Sequence, residues 1–253
     1  MPHDPQAHIP VLLDEVVTLL APQSGQTIVD GTAGLGGHAS ALAARAGQAT
    51  VVLFDLDPAN LARAAARVRA ASPAAVMHAV HASFVQAPRQ LATLGFAADV
   101  LLADLGFSSN QMSDPARGLS FSADGPLDMR LNPASPITAA ELVTSLTERE
   151  LAGLLIEHGE EPPPRARAIA RNLVRARASG PISTTAQFAS IVRDAIPARE
   201  RYGGSIDPAT RSFQALRIAV NDELGAVERA LPRSIDLLRP GGRLAVISFH
   251  SLE

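Results

Sequence analysis

Residues 30–38 read Asp-Gly-Thr-Ala-Gly-Leu-Gly-Gly-His, directly after the run Gln26-Thr27-Ile28-Val29. The pattern predicts a strand that ends in a carboxylate and then breaks into a turn, because glycines 34, 36 and 37 allow sharp bends and leave room for a ligand beside the backbone. A helix over Ala39–Ala46 would direct its N-terminal amides toward that ligand. This layout is typical of two kinds of site, one for NAD and one for S-adenosylmethionine (SAM).

The first hundred residues alternate apolar strand runs with helical segments. Alternation of this kind predicts a parallel sheet covered by helices on both faces, that is, a Rossmann-like α/β domain. The predicted strands are Gln26–Asp30, Thr50–Asp55, Ala75–His81 and Ala98–Asp104, and the helices between them include Pro58–Ala71 and Val85–Leu94.

The alternation stops at Leu105, where residues 105–136 read as loop. Four helical segments and one long helix follow, and the α/β pattern then returns with a helix that reaches Leu238, the turn Arg239–Gly242 and the strand Arg243–Phe249. The four segments are Thr138–Leu142, Thr147–Glu157, Arg165–Ala178 and Thr185–Ala195, and the long helix is Phe213–Arg229. We therefore predict an α/β domain in two pieces, residues 1–111 and 207–253, interrupted by a helical insert over 112–206 that we expect to recognise the substrate.

Composition excludes several kinds of chemistry. The chain has no cysteine and no lysine, and all 22 basic residues are arginine. It therefore forms no disulfide, has no cysteine nucleophile and has no lysine for a Walker A motif or a Schiff base. Its seven scattered histidines show no metal-ligand spacing, so no metal site is predicted. The first residues lack the features of a signal peptide and no apolar run is long enough to span a bilayer, so we expect a cytoplasmic protein without membrane contact.

Charge is unevenly distributed along the chain. Residues 165–243 contain 14 arginines against 7 acidic residues, whereas residues 1–164 contain 8 arginines against 17 acidic residues. Arg167, Arg171 and Arg175 share one helix face by their spacing of four, and such a stripe would suit phosphates. A plain solvated helix face explains the same pattern equally well.

Of the acidic residues at the strand ends, only Asp30 favours one cofactor, because the glycine motif with Asp55 supports NAD and SAM almost equally. Gly34–Ala39 satisfies G-x-G-x-x-A, and Asp55 follows about 20 residues later, where a ribose-binding acid belongs. Asp30 favours SAM, because a carboxylate suits an ammonium and a sulfonium and would repel a pyrophosphate; a loop-capping role is the alternative. Asp104, at the end of the fourth strand, could hold a substrate amine. Alternatively, its carboxylate could serve only to accept hydrogen bonds from loop amides. Asp57 is expected to cap the next helix.

Seven segments together resemble the bacterial 16S rRNA (cytosine-N4)-methyltransferases, the RsmH/MraW family. They are Asp30–His38, Phe54–Pro58, Asp104–Ser109, Gly125–Arg130, Gly159–Glu161, Ala209–Ile218 and Ser248–Glu253, with a similar start over His8–Glu15. The resemblance implies a class I SAM-dependent methyltransferase fold with a helical insert. It also implies SAM contacts at Gly36, Gly37, His38, Asp55, Phe84, Asp104 and Gln111. Phe84 would flank the adenine, whereas the residues alone equally allow a core position.

The resemblance further implies methylation of the exocyclic N4 of a cytosine in 16S rRNA, in the decoding region of the small ribosomal subunit. The absence of cysteine favours N4 over C5, because attack through C5 normally needs a cysteine adduct. Asp104 is the expected catalytic residue. Two departures stand out: Asn110 replaces a usual proline, and the sequence ends at Glu253 inside a family motif, so the last two strands are expected to be missing. An NAD-dependent oxidoreductase and a non-catalytic ribosome-assembly factor are the alternatives.

Overall fold

The computed structural model describes residues 10–197 and 207–252. The expectations that rest on His8 and on Glu253 therefore lie outside the described residues. The strands are β1 (Thr27–Asp30), β2 (Thr50–Asp55), β3 (Val76–His81), β4 (Ala98–Asp104) and β5 (Leu238–Ile247). The helices are α1 (Leu13–Leu20), α2 (Gly37–Ala46), α3 (Pro58–Ala71), α4 (Ala87–Leu94), α5 (Ser109–Ser113), α6 (Ala139–Ser145), α7 (Glu148–Gly159), α8 (Pro163–Ser179), α9 (Thr185–Asp194), α10 (Thr210–Asn221) and α11 (Glu223–Asp236).

The chain divides into two compact units. The first comprises the described residues up to Ser108 together with those from Leu224 onward, and the second comprises Ser109–Glu223. The α/β domain was predicted to resume at residue 207, whereas α10 belongs to the second unit. The physical reason is packing: α10 lies against α7 so closely that a Cβ on Gly159 would be 2.7 Å from the carbonyl oxygen of Arg211.

The first unit is a parallel five-stranded sheet in the order β3-β2-β1-β4-β5. Alternate residues of the inner strands face two separate apolar clusters: Val51 and Leu53 belong to one, and Val52 and Phe54 to the other. All four of these side chains are fully buried, as both faces of a covered parallel sheet require. The predicted Rossmann-like sheet with flanking helices is thus confirmed.

Local sequence signals explain where most helices begin. Asp57 caps α3 by accepting hydrogen bonds from the amides of Ala59 and Asn60, and Pro58 occupies the first helical position, as predicted. In the second unit, α6, α7 and α9 each begin with a capping box. The pairs are Thr138 with Glu141, Thr147 with Glu150, and Thr184 with Gln187.

Three expectations about elements differ from the structure. The predicted helix Phe213–Arg229 is two helices, because Asp222 adopts a left-handed conformation (φ 50°) between α10 and α11. The predicted turn Arg239–Gly242 lies inside β5, where the pairing with β4 is irregular: Ala98 pairs with Leu238, and Val100 pairs with Arg243. The extra residues of β5 are accommodated in this bulge. The predicted loop 105–136 also contains the short helix α5 and a 3-10 turn over Pro115–Arg117.

A helix needs roughly 20 mostly apolar residues to cross the hydrocarbon core of a bilayer. Within residues 10–197 and 207–252, no helix combines the length and the apolar character that such a crossing would demand.

Candidate active site

Most of the predicted site residues of the first unit follow the carboxyl ends of neighbouring strands. Strand order reverses between β1 and β4, since β1 continues to β2 on one side and pairs with β4 on the other. Ligands of open α/β sheets bind in the crevice at such a reversal. Asp30 ends β1 and Asp104 ends β4, and the amide of Gly31 donates to the carbonyl of Leu102 at 2.8 Å across this pair of strands.

Asp55 organises the glycine turn through both of its carboxylate oxygens. Oδ2 accepts a hydrogen bond from the amide of Gly34 at 2.7 Å, and Oδ1 accepts one from the amide of Asp57 at 2.7 Å. Each carboxylate oxygen has a second lone pair, so two acceptor positions are left for ligand hydroxyls. Burial raises the pKa of Asp55 to about 6, against the effect of these amides.

Close packing imposes glycine at the start of α2. Gly36 has φ +76°, and a Cβ built there would lie 2.6 Å from the Cα of Ala64 in α3. A Cβ on Gly37 would collide with the ring of Pro10. The glycines therefore bring the first turn of α2 close to both α3 and the segment before α1.

Asp30 is buried, with 1% of its surface exposed, and its Oδ1 accepts a hydrogen bond from the amide of Thr32 at 3.0 Å. Burial raises the pKa of Asp30 to about 7, and the nearby carboxylates of Asp104 and Asp55 add to the rise. Two neighbouring carboxylates thus disfavour the charge on Asp30. Such a group is stabilised by a positively charged ligand.

Asp104 lies beside His38. The backbone amide of Asp104 donates to Oγ1 of Thr32 at 2.6 Å, which fixes the end of β4 against the turn after β1. Nδ1 of His38 is 3.6 Å from Oδ2 of Asp104, and Nε2 of His38 is 2.9 Å from the carbonyl oxygen of Val11. His38 is 6% exposed, whereas the side chain of Asp104 is 28% exposed. Asp104 is the member of the pair that a ligand can reach.

Phe84 follows β3 in a 3-10 turn over Phe84–Gln86 and is half-buried. Its side chain packs against the small apolar cluster of Ala103, Leu105 and Val227, and its Cβ lies 3.1 Å from where a Cβ of Gly31 would be. It is therefore partly a core residue and is also adjacent to the glycine turn. Gln111 lies in α5 of the second unit and is buried. Ligand contacts at Phe84 and Gln111 stay predictions.

Two supporting residues were missed by the sequence analysis. Thr32 connects Asp30 and Asp104 through its amide and its hydroxyl. Asn60 is buried in α3 and donates from Nδ2 to Oγ of Ser108 at 2.8 Å, so it ties the loop after β4 to α3. Thr32 lies inside the quoted stretch 30–38 and could have been considered on that ground, whereas the sequence gives no signal that pairs Asn60 with a residue 48 positions later.

The second unit carries the arginine stripe on α8. Arg167, Arg171 and Arg175 are exposed, and Ile169 and Leu173 are buried on the opposite side, as the spacing predicts. Nε of Arg171 lies 3.8 Å from Oε1 of Glu148 in α7. Arg177, on the same helix, instead donates to the backbone carbonyl of Leu146, so its charge serves the fold rather than the exposed stripe.

Comparisons with known proteins agree with these features. The MraW methylase family matches residues 5–253. A "Ribosomal RNA small subunit methyltransferase H" of Granulibacter bethesdensis is 49% identical over 97% of this chain and 72% of its own length. Proteins of the same name from Nitratidesulfovibrio vulgaris and Geobacter sulfurreducens are also 49% identical, over 98% of this chain and 76% and 78% of their own lengths.

A solved rRNA methylase of Streptococcus thermophilus is a weak structural match. Its TM-score is 0.29 at 16% identity, over 59% of this chain and 84% of that chain, and the assignment does not rest on it. The assignment rests on the family match over nearly all of the sequence, together with relatives of almost 50% identity. The chain belongs to the MraW methylase family.

Proposed function

We propose that this protein transfers a methyl group from SAM to the exocyclic N4 of a cytosine in 16S rRNA, in the decoding region of the small ribosomal subunit. Family membership and the printed names of the relatives support methylation of small-subunit rRNA. The choice of N4 comes from the family resemblance and is supported by the absence of cysteine, and the site adds a group that could hold an amine. The observation that carries the proposal is the partly exposed carboxylate of Asp104 at the end of β4, beside Asp30 and Asp55.

The residues present fit SAM. Asp55 keeps an acceptor position on each carboxylate oxygen for the ribose hydroxyls. Gly36, whose amide donates to the carbonyl of Ala33, precedes α2 and leaves room for a ligand, and the amides of Gly37 and His38 begin the helix. The buried carboxyl of Asp30, with its raised pKa, is stabilised in its charged form by a cationic ligand. When bound, SAM supplies a methyl group as the equivalent of a cation and becomes a neutral thioether.

The role of Asp104 is to orient the acceptor amine. A carboxylate oxygen that accepts a hydrogen bond from the N4 amino group holds the nitrogen in place and directs its lone pair, which is a contribution of proximity and orientation. The base would have to leave any stack to reach a site of this kind. Methylation at C5 of cytosine normally uses a cysteine nucleophile, and the chain contains no cysteine.

The second unit is the proposed RNA-binding part. Arg167 and Arg175 are exposed on α8, and the apolar side of the helix is buried, so the guanidinium groups are presented in a row two helical turns long. Arginines in such a row bind the phosphate groups of a nucleic acid whatever its base sequence. Recognition of the ribosomal RNA would then combine this general attraction with the pocket at Asp104.

Transfer of labelled methyl from SAM to small ribosomal subunits that lack the modification tests the proposal. Nucleoside analysis of the product should place the label in N4-methylcytidine. Label in another nucleoside would overturn the assignment of N4, and absence of label in the presence of demonstrated SAM binding would favour the non-catalytic assembly factor. Membership of a methylase family argues against the NAD-dependent oxidoreductase, and a thermal shift with SAM but not with NAD would agree.

A further inference from the structure

Methylation of an amine leaves a proton that needs an acceptor. The nitrogen lone pair forms the new N–C bond, and the nitrogen then carries one proton too many. One N–H bond must break with its electron pair kept on nitrogen. Asp104 can accept this proton, but a carboxyl group that keeps it is neutral and can no longer accept a hydrogen bond at that oxygen from the next amine. A second acceptor behind Asp104 would restore the carboxylate.

His38 is held in one protonation pattern. The carbonyl oxygen of Val11 can only accept a hydrogen bond, so Nε2 of His38, 2.9 Å away, must be the donor. A neutral imidazole has a single N–H group, and its other nitrogen carries a lone pair. That other nitrogen is Nδ1, and it lies 3.6 Å from Oδ2 of Asp104. The fold therefore presents an empty proton position on His38 toward Asp104.

We propose that His38 receives the proton released by the methylated amine, by transfer from the amine to Oδ2 of Asp104 and from there to Nδ1 of His38. This inference rests on the proposed amine methylation. Only the backbone amide of His38 is proposed to contact SAM; its imidazole ring touches neither SAM nor the amine and acts through Asp104, so the ring is a positioning and proton-accepting group. The difference in exposure agrees with the direction of transfer, since Asp104 is 28% exposed and His38 only 6%.

Proton transfer to His38 also balances the charge of the site. Methyl transfer removes one positive charge when the sulfonium becomes a thioether, and a proton on His38 restores one.

A spectroscopic measurement tests the protonation pattern without any turnover. The imidazole nitrogens of the whole protein are isotope-labelled, and the His38 resonances are assigned by their loss in His38→Gln. We expect the neutral ring to carry its proton on Nε2 and to gain its second proton on Nδ1 as the pH is lowered. A neutral ring with its proton on Nδ1 would overturn the proposal, because that nitrogen would then have no lone pair to offer Asp104.

Single-turnover methyl transfer by His38→Gln, with saturating SAM and small subunits, tests the consequence. The glutamine amide can still donate to the carbonyl of Val11 but offers nothing equivalent to Nδ1. We expect the rate to fall by about 10²-fold with SAM affinity within about twofold of the wild type. His78→Gln is the matched control, since His78 lies in the middle of the edge strand β3 and contacts Phe96.

The split between rate and affinity separates proton transfer from structural damage. His38→Gln should lose rate in the chemical step at saturating SAM and keep the SAM affinity of the wild type. An unchanged rate in His38→Gln, or a loss confined to SAM affinity, would overturn the proposal. Absence of transfer by the wild-type protein would contradict the proposed function instead, and the protonation pattern of His38 would still be decided by the spectroscopic measurement.

Discussion

At the scale of single residues, Asp30 links the stability of the protein to pH. Its pKa is raised by burial to about 7 from an ordinary value near 3.8, so the folded state binds a proton that the unfolded state releases. The free energy of unfolding that this proton contributes is fully present below the pKa that Asp30 has in the unfolded state. It is lost as the pH rises through the folded-state pKa of about 7. At neutral pH the carboxyl group of Asp30 therefore lowers the free energy of unfolding, whereas its charged form favours binding of a cationic ligand.

Asp30→Asn should remove this dependence. Between about pH 5 and about pH 8, the ligand-free wild type should lose of the order of a few kcal/mol of unfolding free energy that the variant keeps. Urea unfolding at the two pH values measures the difference. Asp236→Asn, at an exposed position in α11, is the control and should follow the wild type. Parallel pH curves for Asp30→Asn and the wild type would contradict the assignment of the buried proton to Asp30.

Asp104 should be indispensable for the chemical step. Asp104→Ala removes the oxygen that would orient the amine, and we expect single-turnover transfer to fall below detection. Asp104→Asn keeps the size of the side chain and one oxygen, so its expected loss is smaller, at least about 10²-fold. An unchanged rate in either variant would remove Asp104 from the mechanism. Thermal unfolding of both variants checks that the backbone bond from Asp104 to Thr32 is retained.

At the scale of elements, the start of α2 depends on the absence of a side chain at Gly36. Gly36→Ala adds a Cβ only 2.6 Å from the backbone of Ala64, at a φ of +76°. Gly95→Ala is a matched control, because Gly95 has φ +73° and open space around it. We expect Gly95→Ala to cost about 1 kcal/mol and Gly36→Ala to cost roughly 2 kcal/mol more, measured by urea unfolding. Equal losses would show that α2 and α3 separate freely.

The exposed face of α8 should govern the salt dependence of binding to small subunits. Replacing Arg167 and Arg175 together by glutamate should weaken binding and lower the slope of log affinity against log salt by about 0.7–0.9 for each phosphate that is no longer neutralised. Arg69→Glu, at an exposed position in α3 of the first unit, is the charge-matched comparison. If the slope of log affinity against log salt stays the same in the double variant, these two arginines contact solvent and not RNA phosphates. SAM affinity is expected to be unaffected.

Sequence reasoning succeeded where a local pattern determines the element. The strand Thr50–Asp55 and the helix Pro58–Ala71 are found at the predicted residues, because apolar runs, a capping aspartate and a proline at the first helical position all act within a few residues. It failed at Asp222, where a single left-handed residue divides a continuous amphipathic pattern. It also failed at Arg239–Gly242, because a bulge depends on the partner strand β4.

The candidate site was predictable to a similar degree. Asp30, Asp55 and Asp104 could be placed from the sequence, since each ends an apolar strand and parallel strands end at one edge of a sheet. The bonds from Asp55 to Gly34 and from His38 to Val11 could not, because both join residues more than 20 positions apart through a backbone group. Backbone groups are the same at every position, so no sequence pattern identifies them.

At the scale of the whole molecule, binding of SAM and proton release should be coupled. Asp30 and Asp55 have pKa values of about 7 and about 6 in the ligand-free protein, and a bound cation stabilises their charged forms. SAM should therefore raise the melting temperature more at about pH 8 than at about pH 5.5. Calorimetry in buffers of different ionisation heat should detect protons released on binding. A stabilisation independent of pH would show that neither carboxyl group senses the ligand.

The two hydrogen bonds that Asp55 accepts from the backbone have a kinetic consequence. One carboxylate holds the amide of Gly34 in the turn after β1 and the amide of Asp57 before α3, so the two segments that would surround an adenosine are already joined. A ligand that enters such a preshaped crevice costs the protein little conformational freedom. Association of SAM with the first unit should then proceed in one bimolecular step, with an observed rate that rises linearly with ligand concentration and shows no plateau from a preceding loop closure.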